Sequence, residues 1–284
     1  MEVVTVKKMV NYMKSVIKEF QNDDVPVLAA AQAYYYLLSI VPMLILLFSI
    51  IPYLGIQPIE AVNFMKSVLP SETASALEEN IISIVSEPNG GLLSVGIIGT
   101  IWSASNGLNA FIKSSNIAYN VEETRSFIKV RLLSIGLTLG MIVAIVVALV
   151  LPVFGRVIFD FIQRVLFIPD QLMIILEIAR WVVSILVMSL ILMLLYRFAP
   201  NRYIPFKEII PGAIITSVLW MLISLGFSFY VSNFGSYSAT YGSLGGLIIL
   251  MIWFFLTGLI LVVGAEINVV YHRKKHGLKG RQEA

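Results

Sequence analysis

Six stretches of this chain are apolar over more than the ~20 residues that a helix needs to cross a hydrocarbon core about 30 Å thick. They run Leu28–Leu54, Leu92–Ile112, Leu132–Phe154, Leu172–Tyr196, Ile209–Val231 and Leu244–Val270. In lipid a helix satisfies every backbone N–H and C=O internally, whereas barrel strands would appear as short segments alternating in polarity, and the sequence has none. The expected fold is all-α: a polytopic membrane protein with six transmembrane helices plus short amphipathic interfacial helices. Composition excludes an ordinary soluble domain, with 58% hydrophobic and 13% charged residues and a mean hydropathy of +0.88. Residues 1–27 lack an apolar run followed by a small-residue cleavage site, so no cleavable signal peptide is expected. Cysteine is absent, which removes disulfides and thiolate chemistry.

Lysine and arginine set the expected orientation. Lys7, Lys8, Lys14 and Lys18 precede the first span; Lys113, Arg125, Lys129 and Arg131 follow the second; Arg197, Arg202 and Lys207 follow the fourth; Arg273, Lys274, Lys275, Lys279 and Arg281 follow the sixth. The opposite side has Lys66, Arg156 and Arg164, so both termini are expected in the cytoplasm. The chain then divides into a cytoplasmic amphipathic segment (1–27), a transmembrane domain (28–270) with an outer helical cap (57–87), and a basic tail (271–284). Val6, Met9, Val10, Met13, Val16, Ile17 and Phe20 form a helical stripe, which suits either a helix in the membrane interface or one packed on the bundle. Arg156–Phe167 is a further candidate surface segment.

Catalytic chemistry is poorly supplied. His272 and His276, spaced to share a helix face, could hold zinc, but Arg273, Lys274 and Lys275 lie between them and no third ligand is near in sequence. Asp23, Asp24, Asp160 and Asp170 are scattered, and no phosphate-cradling loop or catalytic triad is present. The expectation is a non-enzymatic protein without cofactor or metal.

Polar residues inside the spans carry more information, because lipid penalises them. Gln32 lies a turn inside the first span, with Ala29 and Ala33 beside it, Tyr36 a turn further on, and Pro42 placed to kink the helix. Trp102, Asn106, Asn109 and Lys113 share one face of the second span. Glu266 closes the last span, and Arg131 and Arg197 mark the ends of two others. Similar depth makes Gln32, Tyr36, Asn106, Asn109, Arg131, Arg197, Glu266 and Asn268 a candidate cytoplasm-facing polar vestibule. The competing account is a tether in which Glu266 pairs with one of those arginines. Glu177 and Arg180 are spaced to pair along one helix, and Gly136 and Gly140 to pack against another. The Gly/Ser/Tyr-rich hairpin Asn233–Gly246 suits a tight turn or an outer gate formed by Tyr237, Tyr241 and Gly242. Gly91–Leu108 and Gly242–Leu259 match at eight ungapped positions, including Trp102 with Trp253 and Gly107 with Gly258. Chance likeness between Ile/Leu/Gly-rich helices accounts for that better than duplication does.

AAAQAYYYLLSIVPML, WSASNGLNAFIKSSNIAYNVEETRSFIKVRLLSI, LYRFAPNRYIPFKEIIPGAIITSVLW and YGSLGGLIILMIWFFLTGLILVVGAEIN together resemble the YihY/BrkB family of bacterial membrane proteins. The resemblance runs from about Ala29 to Asn268 and implies a six-helix inner-membrane protein with cytoplasmic termini. Its motifs fall on Tyr34, Tyr35, Ser39 and Pro42; on Trp102, Asn116, Tyr119 and Arg131; on Arg197, Pro200, Asn201, Pro211 and Gly212; and on Tyr241, Gly242, Gly264, Glu266 and Asn268. Where many relatives carry a second acid, this chain has Val269-Val270. The family's former label, ribonuclease BN, conflicts with the scarcity of clustered ligands. The expected activity is handling or transport of a lipid or small solute, with a scaffold role in an envelope assembly as the alternative and a ribonuclease as a remote one. Expected partners are membrane lipids, a small solute, and a homo-oligomer or envelope protein, without nucleic acid.

Overall fold

The computed structural model describes residues 2–54, 57, 59–60, 62–63, 82–142, 170–234 and 244–278. Among them, every regular element is helical. The elements are α1 (Glu2–Asn22), α2 (Val25–Leu38), α3 (Ile40–Ile50, continued by a 3-10 turn Ile51–Leu54), α4 (Gly90–Tyr119), α5 (127–142), α6 (Asp170–Phe198), α7 (Phe206–Phe234) and α8 (Leu244–His276). Among the described residues, four segments are long and apolar enough to cross a membrane: Val25–Leu54, Gly90–Tyr119, Phe206–Val231 and Leu244–His276. Val182–Phe198 is a shorter apolar stretch, and the expected third span is helical as far as residue 142. Its remainder, most of the 57–87 cap, the Arg156–Phe167 segment and the hairpin residues Tyr237, Tyr241 and Gly242 lie outside the described residues, as do the side chains of Glu177 and Arg180.

Local chemistry sets the helix ends. Asn89 caps α4 by accepting the Leu92 N–H at 2.9 Å, and Asn120 ends it in the left-handed conformation at φ 51°. The first span breaks at Ser39, three residues before Pro42, whose ring would collide with the Leu38 carbonyl in a continuous helix.

The core gathers at one end of the bundle. Leu108, Phe111 and Ile112 of α4, Leu192 and Tyr196 of α6, Ala213 of α7, and Leu261 and Ala265 of α8 are buried together. Tyr196 donates to the Leu261 carbonyl at 2.9 Å and hydrogen-bonds Thr216 at 3.0 Å, which satisfies its hydroxyl where no water competes. Two glycines admit α2: a Cβ at Gly107 would overlap the Tyr36 ring, and one at Gly258 would press on Ala29 and Gln32. Gly136 and Gly140 do not serve close helix packing among the described residues. A Cβ at either meets nothing within 4 Å, and both line an apolar groove of about 560 Å³ between α5 and α6.

The core end of the bundle is also its basic end, joining the last turns of α4, α6 and α8 to the first turn of α7. Asn201 donates its N–H to Asn116 Oδ1 at 2.7 Å and its amide to Glu122 O and Thr124 Oγ1, both at 2.8 Å. Arg125 reaches Phe198 O and Ala199 O at 3.2 and 2.8 Å. Helix α1 docks here through Tyr12, which donates to Ile267 O at 2.7 Å, and through Glu19, with Asp23 buried in the turn just past its end, while Met9, Val10, Met13 and Ile17 stay exposed. An apolar stripe left open beside a docked polar face suits a helix lying along a membrane surface.

Candidate functional site

The eight vestibule residues divide among separate local networks. Gln32 is fully buried; its amide is 3.5 Å from Ser114 Oγ and 3.4 Å from Leu28 O, and Tyr36 Oη lies 3.5 Å from its carbonyl. Arg131 donates to Asn106 Oδ1 at 2.6 Å and to Trp102 O at 3.1 Å, with its guanidinium 3.5 Å from the Trp102 ring centre. Asn109 joins those three around a small cavity of about 160 Å³. Arg197 stacks 3.9 Å from the Tyr203 ring centre. Asn268 is buried, its Oδ1 accepting the Gly212 N–H at 2.8 Å. Of the eight, the structure therefore unites Gln32 with Tyr36, and Asn106 and Asn109 with Arg131.

Glu266 pairs with neither Arg131 nor Arg197, contrary to the tether expectation. It is fully buried and faces Glu19 and Asp23, one carboxyl oxygen from each of the three lying within 4.8 Å of the others. No N–H or hydroxyl group reaches either oxygen of Glu266, and its carboxyl meets that of Asp23, with which it can share a proton. Arg273 supplies the nearby positive charge, pairing with Glu19 at 2.9 Å and donating to Ala118 O at 3.2 Å. Three carboxyls this close in a dry site cannot all hold a charge without compensation, which Arg273 supplies in part and a proton held among the acids can supply as well. Spacing within the spans does not reveal the arrangement, because Glu19 lies on α1 and Asp23 in the turn just after it, both outside the spans. Their four-residue spacing, which puts both on one helix face, was the available signal.

A second cluster lies about two to three turns further along α8. Glu208, in the first turn of α7 and 1% exposed, receives His272 Nδ1 at 2.5 Å on one oxygen, and His276 Nε2 and Lys275 Nζ, each at 2.9 Å, on the other. The third potential metal ligand missing from the sequence reading is thus Glu208, placed beside the histidines by the α7–α8 packing. At the surface of the same end, Glu123 accepts from Arg125 at 2.6 and 2.8 Å and from Asn116 at 2.9 Å. The Arg125 guanidinium, helped by the Arg125 N–H and the Asn116 amide, outweighs burial and holds the Glu123 carboxyl down at about 2.

Comparison with known proteins matches residues 16–284 to the family described as virulence factor BrkB. The chain is 41% identical over 265 residues to a ribonuclease-like protein, YfkH, of Bacillus subtilis (strain 168), covering 93% of this chain and 96% of that protein. It is 28% identical over 270 residues to the UPF0761 membrane protein VV0203 of Vibrio vulnificus (strain YJ016), covering 93% and 83%. A UPF0761 membrane protein of Tolumonas auensis is 28% identical over 251 residues, covering 86% and 80%. No solved structure matches the chain.

Proposed function

The chain belongs to the BrkB family of membrane proteins, and from that premise we propose that it handles or transports a small solute or lipid at the cytoplasmic face of the bacterial inner membrane. The Glu19–Asp23–Glu266 carboxyls take up the proton or small cation that accompanies this work. One observation carries the reading: Glu266 is wholly buried against two further carboxyls, with no N–H or hydroxyl group on either oxygen. A carboxyl serving only to tether helices would face a donor, because a buried acceptor left unpaired costs about 1–3 kcal/mol and a charged one more. The cytoplasmic placement rests on the concentration of lysine and arginine at this end.

A scaffold function is the second reading, supported by the way Asn106, Arg131, Tyr196 and Asn268 are engaged by neighbouring helices. Full-length protein in liposomes, assayed in parallel for proton or sodium flux and for lipid scrambling, separates the two. Activity above empty liposomes that is lost in Glu266→Gln supports the first. Folded wild type indistinguishable from empty liposomes in every assay overturns it in favour of the scaffold. Both readings are non-enzymatic, and RNA cleavage by the purified wild type that persisted through successive columns would overturn both.

A further inference from the structure

We propose that Glu208, His272 and His276 form a binding site for a divalent transition metal ion, with zinc the best-suited occupant. The two histidines are one helical turn apart on α8, their ring centres 4.7 Å apart. Glu208 enters from α7 with one oxygen directed at each ring, at 2.5 and 2.9 Å. Two imidazole nitrogens and one carboxylate oxygen form a donor set that favours zinc, cobalt or nickel over magnesium or calcium, which prefer oxygen. Bonds of about 2.0–2.2 Å in a tetrahedral site would hold the ligand atoms about 3.4 Å apart. The two Glu208–histidine pairs therefore need to open by less than about 1 Å to admit the ion, and all three ligand atoms already lie within 4.8 Å of one another.

The surroundings favour an ion that enters from water and stays. Glu208 and His272 are buried, 1% and 7% exposed, so two ligands are held in place before binding. The His276 and Lys275 side chains are about half exposed, at 47% and 46%, and form the mouth. Lys275 already places its ammonium 2.9 Å from the buried carboxylate, where a cation is required. In the ion-free protein it occupies the role that the metal would take, and its flexible stem lets it withdraw to solvent. With His272 bound through Nδ1, its proton resides on Nε2, and the fourth position is left to water. An ion here would lock the first turn of α7 to the last turns of α8. The site is separate from the Glu266 carboxyls, so its failure would leave the proposed function standing, and the reverse.

The test uses full-length protein carrying no polyhistidine tag, stripped by chelator in detergent and titrated with cobalt(II). One cobalt per chain is expected, with the intense visible absorption of a tetrahedral site, bleached by equimolar zinc. His276→Ala, at an exposed position, is expected to weaken binding at least tenfold while leaving the melting point of the metal-free protein near that of wild type. Glu208→Gln is expected to abolish the visible band. Lys275→Met removes the competing cation and is expected to tighten binding several-fold. Absence of a tetrahedral cobalt spectrum in folded wild type would overturn the site. Cobalt affinity indifferent to both His276→Ala and Lys275→Met would do the same, leaving a hydrogen-bonded cluster only.

Discussion

Asn268 meets Gly212 where α7 and α8 cross: the side-chain oxygen accepts the glycine N–H at 2.8 Å, and any Cβ at position 212 would overlap both that amide and the Gly264 carbonyl. Gly264 is equally constrained, because a Cβ there would overlap Thr216 Oγ1 and the Tyr196 hydroxyl. The crossing thus depends on two glycines that let the helices approach and on polar groups that satisfy one another where lipid offers nothing.

Gly212→Ala is therefore expected to be among the most damaging small substitutions in the chain, because the obstructing atoms are backbone and a buried amide. Asn268→Leu leaves the space filled and removes the acceptor, and should cost about 1–3 kcal/mol. Thermal unfolding in detergent would order them Gly212→Ala below Asn268→Leu below wild type. A Gly212→Ala protein that melts with wild type would show that the crossing is looser than described.

Arg131 should not tolerate lysine. Its guanidinium serves Asn106 and the Trp102 carbonyl while stacking on the Trp102 ring, a combination that needs a planar fork. Arg131→Lys keeps the charge and is expected to lose about 1–2 kcal/mol, with Trp102 becoming more accessible to a soluble fluorescence quencher. Unchanged stability and quenching together would reduce this arginine to a positive charge at a helix end.

The Glu123–Arg125 clasp predicts acid sensitivity of the α4–α5 connection. A carboxyl depressed from its ordinary 4.5 to about 2 contributes fully above about 4.5, and that contribution disappears as pH falls through about 2. Both side chains are partly exposed, at 20% and 30%, so the effect is about 1 kcal/mol or less. Pepsin cleavage between residues 119 and 127, normalised to an unfolded substrate, should accelerate over that interval in wild type. In Glu123→Gln it should be fast throughout. A flat wild-type profile would mean the connection is held by Asn201 and Arg125 alone.

The legible part of this molecule was what one helix reveals by itself. Hydropathy located the four described segments long and apolar enough to cross a membrane, and the spacing of Trp102, Asn106, Asn109 and Lys113 by four, three and four marked the face where Arg131 meets Trp102 and Asn106. The illegible part was pairing between distant segments. Glu208 stands 64 residues before His272, so no local spacing could complete the histidine pair. Glu266 was matched by depth to Arg131 and Arg197, the cations at the ends of neighbouring spans. Its actual neighbours, Glu19 and Asp23, come from a helix and the turn after it, which fold back over the bundle end. Depth ranks residues along the membrane normal but leaves their position around the bundle open, and that position decided which groups met.

That misplacement gives the sharpest prediction. Were Glu266 paired with an arginine, Glu266→Gln would strand a buried cation and destabilise the protein. Facing Glu19 and Asp23, the same substitution instead removes one acid from a buried group of three and supplies an amide that can donate to either of the others. Glu266→Gln is therefore expected to raise the melting point at neutral pH, with a gain of about 1–3 kcal/mol, while removing any flux observed for wild type in liposomes. Arg273→Gln should do the opposite, withdrawing the guanidinium that pairs with Glu19 and lowering the melting point. A protein made less stable by Glu266→Gln would mean that its carboxylate has a donor after all, and the reading of this site as a place for an incoming positive charge would fall with it.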